Sequence, residues 1–349
     1  MAVRRVEVPA GGFREIAILR LSSLGDVVLT LPVVHALHAA FPQARLHYWV
    51  KEEWADLVRF DPRIGHVRKL EKDSRKIEDL VSMSAELEDC DLIVDLHGNL
   101  RTRVLTFRQK GVVLHAPTER WLRERWVRAR WTSPPRASHA LVRYAAALAP
   151  LGLAVTGTPA LVAGEAAEGW AAQSLAAWNE PGPIVALCPG AKHATKRWPQ
   201  EYWCALDERL AAAGVRRIVF TTKAEQRDLA ALAARIDADP RARWCCEPLP
   251  RMAALIGHAA AAVTHDSGLM HMAAARGVRV VAIFGSTSPV LGFAPAGEGH
   301  VVLCRDEPCQ PCTLHGRERC PLGHFRCMRE IAPAQVLAGL AALGVSLPD

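Results

Sequence analysis

The chain has 349 residues, half of them hydrophobic and 6% aromatic, with a formal net charge of +7. That length exceeds one ordinary domain and suits two with sizeable cores, while the positive charge suits an anionic ligand, a membrane surface or nucleic acid. No apolar run reaches the ~18 residues of a spanning helix, and MAVRRVEVPAGGFREIAILRL has neither the long apolar core nor the cleavage site of a secretion signal. A cytoplasmic protein is expected, whose ten cysteines form no disulfide scaffold.

EIAILRL (Glu15–Leu21) predicts the first buried strand, followed by a helical VVLTLPVVHALHAAF. RLHYWV, DLIVDL (Asp91–Leu96) and GVVLH repeat the strand pattern with helical runs between them. This alternation predicts an α/β fold with a parallel sheet covered on both faces. GLAVTGTP (Gly152–Pro159) reads as a linker, and a helix is expected over Glu165–Trp178. A second series follows: IVALCPG (Ile184–Gly190), RRIVFTT (Arg216–Thr222), ARWCCE, AAAVTH and RVVAIFG. Two doubly wound domains are therefore expected, with ligands at the carboxyl ends of their strands.

The polar residues concentrate at those ends. In LRLSSLGDVVLTLP, Ser22, Ser23, Gly25 and Asp26 stand where the first strand meets the first helix. The stretch has neither the G-x-G-x-x-G fingerprint nor the Walker pattern, so it is a tight turn carrying one carboxylate. GAKHATKRWP crowds Lys192, His193, Lys196 and Arg197 after a strand, where cations beside open backbone N–H groups suit phosphate. RRIVFTTKAEQ ends in Thr221, Thr222, Lys223 and Glu225, an acid that could take the two hydroxyls of a ribose or simply serve its own helix. In THDSGLMHMAAA, Asp266 and Ser267 can cap a helix, Gly268 admits close approach, and His271 follows; the helix N-terminus is a ready anion site. Each end alone fits an ordinary cap or solvated loop. Together they favour a nucleotide-diphosphate site.

Between Arg101 and Arg136 there are ten Lys/Arg against two Glu, with Trp121, Trp126 and Trp131 interleaved. Tryptophans five apart do not share one helical face, so at least one is expected in the core. The segment CRDEPCQPCTLHGRERCPLGHFRC holds Cys304, Cys309, Cys312, Cys320 and Cys327, with His315 and His324 nearby. Cys309, Cys312, Cys320 and Cys327 supply the composition of a tetrahedral structural zinc site, with reduced packed thiols or disulfides as the alternatives. Cys90, Cys188, Cys204, Cys245 and Cys246 read as small buried hydrophobes.

RLSSLGDVVLTLPVVHAL, CPGAKHATKRWPQEYW and HDSGLMHMAAA, in this order, resemble the heptosyltransferases of glycosyltransferase family 9 over nearly the whole chain. The second-domain segments are most similar to the heptosyltransferase II branch. The resemblance implies a GT-B fold of two Rossmann-like domains facing a cleft: an acceptor domain over residues 1–160 and a nucleotide-sugar domain over 161–349, with the Cys-rich segment at 304–327 and a final helix able to pack back on the first. It implies metal-independent, inverting transfer of heptose from ADP-heptose to the inner core of a lipopolysaccharide precursor by a monomer at the cytoplasmic face of the inner membrane, with no nucleic acid involved. Asp26 becomes the candidate base. Lys192, Lys196, Thr221, Thr222, Glu225, Asp266, Ser267, Gly268 and His271 become the donor site, and Ser23, Gly25, Arg101, Arg120, Arg123 and Arg128 the acceptor site. The sequence departs from the family pattern at His265, where asparagine often precedes D-S-G, and at His97, where glutamine is expected. The rival readings are a nucleotide-sugar epimerase of similar fold, and a basic nucleic-acid-binding protein with a zinc-ribbon-like cluster.

Overall fold

The structure is a computed structural model that describes residues 5–70, 77–129 and 138–347. The chain divides into two compact units: Met1–Glu119 with Ser138–Val162, and Arg120–Ala137 with Ala163–Asp349.

The first unit is built on a five-stranded sheet of order β3-β2-β1-β4-β5. Its strands are β1 (Glu15–Leu19), β2 (Arg45–Lys51), β3 (His66–Leu70), β4 (Leu92–Asp95) and β5 (Val112–His115), every neighbouring pair parallel. β1 and β4 are central and their apolar runs are buried, as a sheet covered on both faces requires. Leu19, Leu21, Trp49, Leu87, Ile93 and Leu105 form one face of the core. β3 was not expected from the sequence. HVRKL is a mostly exposed edge strand, and such edges are protected by charge rather than by apolar residues.

The second unit carries a six-stranded parallel sheet of order β11-β10-β9-β6-β7-β8. Its strands are β6 (Ile184–Cys188), β7 (Arg216–Phe220), β8 (Ala242–Cys245), β9 (Ala261–His265), β10 (Val280–Phe284) and β11 (Val301–Cys304). β6, β9 and β10 are buried throughout, and the chain reverses its direction of winding between β6 and β9. Ligands bind beside such switch points in doubly wound sheets. The expected helix begins at Glu165 and ends at Ala176. β11 is a partly exposed edge that the sequence pattern did not reveal. Among the described residues, no helix is long and apolar enough to cross a membrane.

Candidate functional site

The first polar cluster lies beyond β1. Ser23 is the N-cap of the helix Leu24–Leu29, and Asp26, at its third position, closes a capping box. Asp26 is not only a cap. Its Oδ1 lies 2.8 Å from an Arg20 guanidinium nitrogen and accepts the Tyr144 hydroxyl at 2.7 Å, while its Oδ2 accepts the Ser23 hydroxyl at 3.1 Å. Burial alone would raise its pKa, but the Arg20 charge and these hydrogen bonds overcome that and hold it down at about 2. Arg20 is fixed in turn by donating to the Leu96 carbonyl at 2.7 Å. Gly25 is buried beneath this turn, and Ser23 is exposed above it.

The loop after β4 is set by Asp95, which is fully buried and accepts from the backbone N–H groups of His97 and Gly98, both at 2.9 Å. Burial first, and then the neighbouring Arg20, push the His97 pKa down to about 4, so its imidazole is neutral at pH 7. Arg101 also disfavours the charged imidazole. The unexpected histidine at 97 is therefore a neutral polar group at the Asp26 end of the sheet.

The second cluster belongs to the second unit. Lys196, in the short 3-10 turn Ala194–Lys196 after β6, places its Nζ 2.7 Å from Asp266 Oδ2, which also accepts the Thr287 hydroxyl at 2.7 Å. Burial works against ionisation of Asp266, but Lys196 and Thr287 outweigh it and the pKa is lowered. Ser267 is the N-cap of the helix Gly268–Ala275, and its buried hydroxyl has no hydrogen-bond partner among the described residues. His271 is buried in that helix. His265, the other departure from the family pattern, is structural. Its Nε2 accepts the Trp198 backbone N–H at 2.8 Å, and burial lowers its pKa to about 3, keeping it the neutral acceptor this bond needs.

Glu225 completes this end of the sheet. Thr222 and Glu225 form a capping box, with the Thr222 N–H donating to Glu225 Oε2 at 2.9 Å. A Cβ on Gly190 would stand 2.3 Å from Glu225 Oε1, so glycine is required for this carboxylate to lie across the end of β6. Thr221 is buried and Lys192 is exposed.

The basic segment divides differently from expectation. The helix Arg120–Ala129 groups with the second unit, not with the unit that holds Asp26. Arg120 is paired with Glu124 at 2.8 Å, and Arg123 stacks over Phe293. Trp126 is core and Trp121 is exposed, as their spacing demanded. The Arg128 side chain, Trp131 and Arg136 lie outside what is described.

The expected zinc site finds no support. Cys309, Cys312, Cys320 and Cys327 line one small cavity of about 10 Å³ together with His324. Yet among the described residues no three His, Cys, Asp or Glu side chains are disposed to hold a metal ion. The cysteines are free thiols. Burial raises the pKa of Cys312, and burial followed by the neighbouring thiols raises that of Cys327 to about 12. Sγ of Cys312 instead donates to the Ser286 carbonyl at 3.7 Å.

The segment acts as a buttress. Gln310 donates its amide to the carbonyls of Gly285 at 2.6 Å and Thr287 at 2.9 Å, holding the loop that presents Thr287 to Asp266. Thr195 Oγ1 is shared between Ser286 at 2.9 Å and the Arg317 N–H at 2.8 Å, which ties the Lys196 turn to the same loop. Gln310→Ala is expected to cost roughly 1–3 kcal/mol in urea unfolding, because buried carbonyls are left unsatisfied. Unchanged stability would mean that water replaces the amide without loss.

Arg20, Tyr144, Thr287, Thr195 and Gln310 were not singled out by sequence reasoning. Arg20 was legible, as a cation at the end of the first strand. Tyr144 was not, because 118 positions separate it from Asp26.

The family model of glycosyltransferase family 9 (heptosyltransferase) matches residues 81–322. Lipopolysaccharide heptosyltransferase 1 of Pseudomonas aeruginosa is 29% identical over 324 residues, covering 85% of each chain. The structure of E. coli ADP-heptose lipopolysaccharide heptosyltransferase II aligns at a TM-score of 0.70 with 20% identity, covering 95% of this chain and 98% of that one. E. coli heptosyltransferase WaaC with ADP-2-deoxy-2-fluoro heptose aligns at 0.66 with 20% identity, over 94% and 99%. These two likenesses show the fold, two parallel sheets with flanking helices, as in GT-B heptosyltransferases. Neither the epimerase nor the nucleic-acid reading gains support. With the match to residues 81–322 spanning well over half the sequence, the chain belongs to glycosyltransferase family 9, the heptosyltransferases.

Proposed function

We propose that this glycosyltransferase moves heptose from ADP-heptose to an anionic lipopolysaccharide precursor with inversion at the anomeric carbon. The observation that carries this reading is the pairing of Lys196 with Asp266 and Thr287 beside the N-terminus of the helix Gly268–Ala275. A cation, a hydroxyl and open backbone N–H groups suit a diphosphate. The solved WaaC complex holds an ADP-heptose analogue on the same fold, which supports the choice of nucleotide.

In this reading the donor lies on the second unit. Glu225 takes the ribose hydroxyls, Lys196 and the helix N-terminus meet the diphosphate, and Lys192, Thr221, Thr222, Ser267 and His271 complete the lining. As the acceptor oxygen bonds to the anomeric carbon, the bond to the diphosphate breaks and ADP leaves with the electron pair. The negative charge that develops on ADP meets donors already in position, so little reorganisation is needed. The acceptor proton passes to Asp26. A carboxylate with a pKa of about 2 is a weak base, but the hydroxyl becomes strongly acidic once its bond to the sugar forms, so the proton moves late. Ser23, Gly25 and Arg101 belong to the acceptor side. Arg120, Arg123 and Arg128 are proposed to steer the anionic glycolipid by charge. The protein then works at the cytoplasmic face of the inner membrane.

The test is a transfer assay with a panel of nucleotide sugars and purified lipopolysaccharide cores, read by mass spectrometry. One heptose added only when ADP-heptose and acceptor are both present is the expected result. Donor consumption independent of acceptor would overturn the reading.

A further inference from the structure

The helix Leu100–Leu105 follows the Asp95-held loop at the Asp26 end of the first sheet. It leaves uncovered what most surface helices bury. Leu100, Val104 and Phe107 are 80%, 51% and 68% exposed. Spaced by four and three residues, they share one face of the helix and the turn just beyond it. The opposite face is anchored, with Thr102, Leu105 and Thr106 buried. Gln109 fastens this end to Ser84 and to the Leu105 carbonyl, each at 2.9 Å. The apolar face is therefore held outward by a fixed element.

The charges on its own segment are all of one sign. From Asn99 to Lys110 the chain carries Arg101, Arg103, Arg108 and Lys110 and no acid. Arg103, Arg108 and Lys110 are exposed, and Arg108 lies over the Phe107 ring at 5.4 Å. We propose that Leu100, Val104 and Phe107, ringed by Arg103, Arg108 and Lys110, form a docking surface for an anionic phospholipid bilayer. Apolar side chains enter the acyl boundary while the cations stay among the headgroups. A second copy of the chain fits less well, since a symmetric contact would bring the same cations against one another.

This inference rests on the proposed lipid-linked acceptor. The Leu96 carbonyl, four residues before Leu100, accepts from Arg20, which also holds Asp26. A membrane bound at this helix thus lies near the unit's candidate base, where an acceptor anchored in the bilayer would be delivered.

Sedimentation with vesicles tests it on the full chain. The protein is expected to pellet with mixed phosphatidylethanolamine–phosphatidylglycerol vesicles, less so at high salt, and far less with phosphatidylcholine alone. Replacing Leu100→Ser, Val104→Ser and Phe107→Ser together should weaken anionic-vesicle binding about tenfold or more, as should Arg103→Glu with Arg108→Glu. Because these side chains are exposed, both variants should keep the parent's thermal unfolding and its transfer to a deacylated, water-soluble core. Equal pelleting of parent and triple variant would overturn the proposal, as would equal binding to neutral vesicles. So would light scattering showing a parent dimer that the triple variant dissociates, since a second copy would then cover the patch. Failure of transfer to the soluble core by the parent would instead strike the proposed function and leave vesicle binding as measured.

Discussion

Asp26→Asn is expected to lower transfer by about 10²–10⁴ while leaving ADP affinity unchanged, the usual cost of a lost general base. Asparagine matches the carboxylate in shape and can still accept the Tyr144 hydroxyl, but it cannot take a proton. It also cannot neutralise Arg20, 2.8 Å away. The Asp26 pKa, held at about 2 against an ordinary value near 3.8, corresponds to ~2 kcal/mol of stability at neutral pH. The sign follows from the depression: this stability is complete above the unfolded carboxyl's pKa and is lost as pH falls through the folded one. The variant should therefore unfold about 2 kcal/mol more easily at pH 7, with the difference shrinking toward pH 2. Tyr144→Phe separates the two effects, since it removes one hydrogen bond from Asp26 and keeps the base. Transfer by Asp26→Asn within about threefold of the parent, far below the range of a lost base, would leave Asp26 as a cap and counter-ion only.

Lys196→Ala should weaken ADP by roughly 1.5–3 kcal/mol in calorimetry, the scale of a hydrogen bond to a charged group. The loss has two parts. The ammonium no longer meets the diphosphate, and Asp266 is left as a buried carboxylate without its strongest neighbour, keeping the Thr287 hydroxyl and the nearby His271. That uncompensated charge repels the ligand. Removing Lys196 also removes the main influence that lowers the Asp266 pKa, so the pKa rises. ADP should then bind the variant better as pH falls and Asp266 takes up a proton. Lys196→Ala combined with Asp266→Ala should recover part of the lost affinity, because the repelling carboxylate is gone. ADP affinity unchanged in folded Lys196→Ala would take Lys196 out of the donor site.

The fold was legible where strands are buried on both faces. IVALC, AAVTH and VVAIF leave no other reading for short apolar runs between helical segments. The edge strands β3 and β11 were not, since edges are partly solvated and lose the apolar pattern. The polar turns after β1, β6, β7 and β9 were legible because polar residues between two buried segments need a reason. What no local pattern could show is which of them meet. Lys196 and Asp266 come together through sheet order, as β6 and β9 are neighbours despite being far apart in sequence. Cysteine spacing has the same limit. It supplied four thiols around one cavity, but among the described residues no group disposed to hold a metal ion.

The first unit is not a continuous stretch of chain. It closes only with Ser138–Val162, after the chain has passed through a segment that groups with the second unit. That returning stretch brings Tyr144 to Asp26, and Pro150 to accept the Val6 backbone N–H at 2.9 Å. A chain emerging from the ribosome can therefore pair all five strands of the sheet while Asp26 still lacks its phenol and the N-terminal strap its partner. The Asp26 cluster is finished by the last piece of the unit to arrive, so a translational pause once β5 has emerged but before Tyr144 has would hold an assembled sheet with the cluster unfinished.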